Sequence, residues 1–226
     1  MMSLARVYTR AQLGIDAPEV CVEVHLSNGL PSLSIVGLPE AAVRESKDRV
    51  RAAILNSHFE FPARRITVNL APADLPKEGG RFDLPIALGI LAASGQLPAE
   101  SLDEIEFIGE LALDGHLRGI RGALPAALAT RAAGRSLLVP EQCVSEAGLV
   151  EGLPLYAANH LLQVCAHLAG RERLALHRSQ PQQIPERWDT DLSDIRGQHQ
   201  ARRALEVAAA GGHNLLMIGP ISPILM

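Results

Sequence analysis

NLAPADLPKEGGRFDLPIALG, residues 69–89, leaves an apolar strand, crosses a charged loop hinged on Gly79 and Gly80, and enters a helix of almost unbroken apolar character. The strand begins upstream, and Arg65–Leu70 reads as buried. The helix continues downstream, because Leu84–Ser94 holds scarcely a polar side chain. Within the loop, Asp83 stands where an N-cap would contribute about 1 kcal/mol to the helix that follows, with Gly79 and Gly80 supplying backbone freedom.

Working outward, Leu4–Thr9, Val20–Leu26 and Leu33–Val36 are short aliphatic or β-branched stretches separated by Gly, Pro, Asn or Asp, which predicts three strands in a meander. A helix follows to Leu55, with apolar residues at Ala42, Val43, Val50, Ala53 and Ile54 and Pro39 in its first turn. Phe107–Leu113 with Gly115 reads as a hairpin, Ala123–Ala133 as a helix ended by Gly134, Leu137–Val139 as a strand, and Asn159–Leu168 as a packed helix. This order predicts an α+β class, or α/β by a looser label: a mixed sheet with helices on one face. Residues 1–170 form the first domain, and 171–190, rich in Gln, Pro and charge, a linker. Residues 191–226 begin a second module with a helix at Gln198–Ala210, a Gly211–Gly212 turn and a strand at Leu215–Ile218.

Composition narrows the function classes. The chain has 226 residues, 47% of them hydrophobic, and can bury a real core. Its formal net charge is −4, so any nucleic-acid contact must be local. Aromatic residues make up 3%, which argues against a platform for stacking bases. Cys21, Cys143 and Cys165 lie far apart with no CxxC pair, which supports neither a disulfide framework nor a zinc ribbon. With no signal pattern and no membrane-length apolar run, the expectation is a cytoplasmic protein without membrane contact.

Four stretches carry a family resemblance: NLAPADLPKEGGRFDLPIALG, GELALDGHLRGIRG at 109–122, VGLP at 36–39, and the run from Asp194-Ile-Arg-Gly-Gln to Gly219-Pro220. Together they resemble the magnesium-chelatase-like AAA+ ATPases of the ComM/YifB family, over residues 2 to 220. The resemblance implies a Lon-protease-like domain, built on a ribosomal-protein-like fold, preceding an AAA+ module with a GPPGSGKT phosphate loop. It further implies a hexameric ring that uses ATP and magnesium for DNA branch migration in natural transformation. Gly219 and Pro220 match the start of that loop, as an incomplete cofactor-binding site, and then Ile-Ser-Pro-Ile-Leu-Met departs from it with no lysine. A phosphate loop needs that lysine and a hydroxyl for magnesium. The expectation is a chain truncated by a lost frame or early stop. It would bind no cofactor and have no ATPase activity alone, and its apolar 191–226 segment would be disordered or aggregation-prone.

Lon-type peptidases pair a serine in a PKDGPSAG-like loop with a lysine base, because a lone hydroxyl is a weak nucleophile. Matching Pro76-Lys77-Glu78-Gly79 to that loop leaves Phe82 or Asp83 at the serine, and matching Ile120–Leu124 to IGGLK leaves Leu124 at the lysine. No catalytic residue is therefore assigned. The rival reading is a Lon-like serine peptidase with a relocated nucleophile, for which Lys47 and Lys77 are the only lysines. A third is a standalone oligomerisation module. Lys77, Glu78, Gly79, Gly80, Arg81 and Asp83 are candidates for contact with DNA or with a neighbouring subunit, because an N-cap requires only Asp83. Arg44, Lys47, Arg49, Arg51, Arg64 and Arg65 could face phosphate, although Glu45 and Asp48 interrupt them as on a solvated face. His160, Cys165 and His167 lack metal-ligand spacing, and no metal site is expected.

Overall fold

A computed structural model describes residues 4–177 and 191–219. Strands β1 (Leu4–Arg10), β2 (Glu19–Ser27), β3 (Ser32–Val36) and β4 (Arg65–Ala71) are joined by helix α1 (Ala41–Asn56) and followed by α2 (Asp83–Ala93). Then come β5 (Ile105–Phe107), the short strands β6 (Glu110–Leu111) and β7 (Leu117–Arg118), α3 (Ala123–Ala132), β8 (Ser136–Pro140) and α4 (Val144–Ala147). β9 (Leu155–Ala158), α5 (Leu161–Leu168) and β10 (Leu176–His177) complete a first compact unit, 1–180. In the second unit, 181–226, the described residues hold a 3-10 turn at Leu192–Asp194 and helix α6 (His199–Gly211).

The first unit is a mixed α/β architecture around an eight-stranded sheet of order β10-β9-β8-β5-β1-β2-β4-β3. β1, β2 and β4 pair antiparallel, while β5, β8 and β9 run parallel to one another and join at β1. The meander expected of the first three strands does not form. β3 skips β2 and adds parallel to the far side of β4, with α1 as the crossover that a parallel pairing requires. The hairpin expected around Gly115 is β6–β7, two residues a side, and stands apart from the large sheet.

In β2, Val20, Val22, Val24 and Leu26 are buried while Glu19, Cys21, Glu23 and His25 are more exposed, the period-two pattern of a sheet covered on one face. The cover is α2, whose eleven residues are all buried, as a helix apolar on every side must be. At β8 the sheet is covered on both faces. Leu138 joins the core with α2 and α5, whereas Leu137 and Val139 pack with Ala123, Ala126 and Ala127 of α3 and Ala147 of α4. The expected single helical layer therefore holds for the antiparallel half and fails at the parallel half. Parallel strands need cover on both sides.

Three more expectations move. Pro39 precedes the N-cap residue Glu40 instead of entering the first turn of α1. Leu176 and His177, expected in the linker, pair antiparallel with Tyr156 and Leu155, and residues 178–190 lie outside the described residues. Residues 215–218 are not a strand, and Leu216 and Ile218 are 83% and 91% exposed. The segment expected to be disordered or aggregation-prone holds the 13-residue α6 in its described part.

Glu106, fully buried in β5, ties the halves together. Arg10 of β1 donates to both of its carboxylate oxygens at 2.6 Å, and Thr130 of α3 donates to Oε2 at 2.6 Å. Arg135, at the foot of β8, donates to Oε1 at 3.1 Å and to Glu19 at 2.6 Å, with its guanidinium 4.0 Å from the centre of the Tyr8 ring. Removing one partner of a buried pair strands the other charge, at a cost of about 3–5 kcal/mol. Glu106→Ala is therefore expected to lower the urea-unfolding free energy by about that amount. Arg135→Ala, at the water-exposed end of the network, should cost only about 1 kcal/mol. Equal losses would show that Glu106 is not the centre of the network.

Candidate functional site

The loop between β4 and α2 turns most of its charge inward. Lys77 is completely buried; its Nζ donates to the Pro72 carbonyl, and its own carbonyl accepts the Glu40 N–H at 3.2 Å. Arg81 is 6% exposed and donates through Nη2 to Gln12 Oε1 at 2.8 Å and to the Arg121 carbonyl at 2.6 Å. Burial lowers the pKa of both cations. Glu78 and Gly79 remain exposed and Gly80 half-buried.

Asp83 is not the N-cap. Phe82 holds that position without a side-chain cap, and Asp83 is the first helical residue, fully buried. Its carboxylate accepts from Arg49 Nε at 2.7 Å, Arg49 Nη2 at 3.2 Å and the Leu111 N–H at 3.2 Å, so one side chain ties α2 to α1 and β6. A buried carboxylate gains more from a guanidinium than from one cap N–H, which is why local cap chemistry loses here. Burial pushes the carboxyl up to about 6, with Arg49 and Leu111 offsetting only part of that cost.

The loop opens onto a cleft of about 700 Å³ whose other wall is 119–121, between β7 and α3. Two sequence motifs far apart in the chain, 69–89 and 109–122, thus meet across one space. Gln12, Glu78, Glu110 and Arg121 line it with polar groups. No lining residue carries a hydroxyl, thiol, imidazole or ammonium, so the cleft walls hold neither the serine nor the lysine of a Lon-type dyad. Leu124 is half-buried against the α3 core cluster. Glu110, which is in a motif of the sequence but not among its candidate site residues, explains one motif glycine. A Cβ at Gly80 would lie 2.4 Å from Glu110 Oε2. Gly37, the glycine of the VGLP motif, has φ +97°, and a Cβ there would sit 2.2 Å from the Leu70 carbonyl oxygen.

The remaining candidates separate. Arg49 is committed to Asp83, whereas Lys47 is half-buried and Arg51, Arg64 and Arg65 are exposed; the Arg44 side chain lies outside what is described. His160 caps α5 by accepting the Leu162 N–H at Nδ1, and His167 accepts the Leu174 N–H. Cys165 is buried, its thiol pushed up to about 12 by burial. These are packing roles. Gly219 is exposed, and Pro220 lies outside the described residues.

Because folding raises the Asp83 pKa, the folded chain holds a proton that the unfolded chain releases between about pH 4 and pH 6. Stability from this group is therefore gained as pH falls through about 6 and lost as pH rises above it. Between pH 7 and pH 5, urea unfolding should show wild type gaining about 1 kcal/mol relative to Asp83→Asn. Parallel pH profiles would contradict the raised pKa.

The family described as "Subunit ChlI of Mg-chelatase" matches residues 22–143, which contain both motif loops, and "Magnesium chelatase, subunit ChlI" matches residues 191–222. The chain is 56% identical to the "Uncharacterized protein YifB" of Escherichia coli (strain K12), over 97% of this chain and 43% of that protein. It is 54% identical to the "Competence protein ComM" of Haemophilus influenzae, over 97% of this chain and 44% of that one. A Mycobacterium tuberculosis (strain ATCC 25618 / H37Rv) relative is 42% identical over similar shares. The chain thus spans less than half the length of the curated relatives it matches. With both segments matched and the motif loops meeting in one cleft, the chain belongs to the Mg-chelatase ChlI family and is ComM/YifB-like within it.

Proposed function

We propose that this chain is the Lon-protease-like, peptidase-silent assembly and DNA-handling module of a cytoplasmic ComM/YifB-type AAA+ branch-migration helicase. The helicase works as a hexameric ring in natural transformation. The observation that carries this reading is that 78–81 and 119–121 line one cleft, since they belong to the two stretches that resemble the nucleophile and lysine loops of Lon-type peptidases. The positions that the resemblance matches to the peptidase dyad carry no such pair and do not line the cleft. Phe82 and Asp83 are buried, Lys77 is buried against the Pro72 carbonyl, and Leu124 packs into apolar surroundings.

The residues after α6 do not fit a nucleotide. Gly219 offers one backbone N–H in an exposed stretch, and the sequence from Pro220 to Met226 contains no lysine to meet the outer phosphates. These residues therefore hold no complete site for ATP and magnesium. What this chain contributes is shape: two loops locked by buried charge, presenting Glu78, Glu110 and Arg121 on a fixed rim.

The test is a chimera in which this chain replaces the matching first part of Haemophilus ComM, introduced into a strain lacking that protein. Transformation should return to within about tenfold of the parental level, and purified chimera should leave casein uncut. A chimera that accumulates to normal levels yet restores no transformation, or one that degrades casein, would contradict the reading.

A further inference from the structure

A second cleft, of about 410 Å³, lies at the sheet edge between α1, the start of β3 and the segment leading into β4. Its lining includes Lys47, Arg51 and Arg64, with Asp48 as the single carboxylate. Lys47 and Arg51 are four apart on α1, so they share one helical face. Arg64 comes from the other wall and is followed by the exposed Arg65. None of these four cations forms an ion pair among the described residues, whereas Arg49, two residues from both Lys47 and Arg51, pairs with Asp83. The guanidinium of Arg51 is also held in place, 4.8 Å from the centre of the Phe61 ring.

In a chain of net charge −4, such a concentration of unpaired positive charge is a local exception. Cations gathered in a concave site with apolar walls focus potential onto whatever anion enters. Two guanidiniums and an ammonium match phosphate oxygens in geometry and charge. The scarcity of aromatic residues leaves little for reading bases, so recognition here would be by charge.

We propose that the Lys47–Arg51–Arg64 cleft is where this chain holds the phosphate backbone of DNA, independently of sequence. This deepens the reading above, on whose DNA-handling role it rests, and moves the contact from the loop at 77–83 to the sheet edge. Each cation that neutralises a duplex phosphate releases a counterion and adds about 0.9 to the slope of log affinity against log salt. Three such contacts would contribute about 2–3.

The experiment is fluorescence anisotropy of the whole chain with a labelled 20-base-pair duplex of arbitrary sequence, across a salt series. Lys47→Ala/Arg51→Ala/Arg64→Ala should reduce the salt slope by about 2–3 and weaken binding at least about tenfold near 50 mM salt. A charge-matched control, Arg6→Ala/Arg171→Ala/Arg173→Ala, should leave both close to wild type. Circular dichroism of each variant checks that the fold is retained, since all six side chains lie at the surface or the cleft rim. If the cleft variant binds as wild type, or the control loses as much, the site is wrong while DNA handling stands. If wild type does not bind the duplex at all, the site and the DNA-handling role fall together, whereas a failed chimera with an intact local slope counts against the helicase reading alone.

Discussion

Glu106 places a carboxyl group on a three-residue strand with no exposed surface, and such a group is accommodated only where opposite charge and hydrogen bonds enclose it. Its partners come from everywhere the two halves of the sheet must agree: Arg10 on β1, Thr130 on α3 and Arg135 beside β8. β1 is also the strand where antiparallel pairing on one side changes to parallel pairing on the other. Register, helix placement and the junction of the halves thus depend on one carboxylate. Because a misregistered β5 would leave it unpaired, the network acts on specificity as much as on stability.

The same logic, applied at the cleft, converts apparent functional charge into structure. Asp83 and Arg49 join α1 to α2, Arg81 joins the loop to the Gln12 and Arg121 segments, and Lys77 closes the loop onto Pro72. Walls fixed in this way hold a steady shape without a serine or a lysine on the lining. At the sheet edge the charge behaves differently: among the described residues Lys47, Arg51 and Arg64 line a cleft without forming an ion pair.

Much of this was legible in the sequence because the signals were local. β1, β2, β4, α1, α2 and α3 lie within a residue or two of where periodicity and glycine punctuation put them. Strand order was not legible, since nothing within Leu33–Val36 tells whether it pairs with the strand before it or with one formed thirty residues later. Glu106 was passed over because, after Asp103 and Glu104, it reads as part of a solvated run; its partners lie 24 to 96 residues away. Asp83 was recognised as a helix-start residue and assigned the wrong bond, because Arg49 reaches it only once α1 and α2 are packed. The loop at 77–83 stood out correctly as unusual. What the sequence could not convey is that Lys77, Arg81 and Asp83 face inward.

The central claim is that this loop is an anchor of the fold and not a source of chemistry, and the chain offers a clean probe of it. Lys47 and Lys77 are its only two lysines. Brief reductive dimethylation of the native chain, followed by peptide mass spectrometry, reads the accessibility of both in one sample. The account predicts that Lys47 is modified while Lys77 stays protected until the chain is unfolded in denaturant. Equal labelling of the two lysines in the native chain would contradict it.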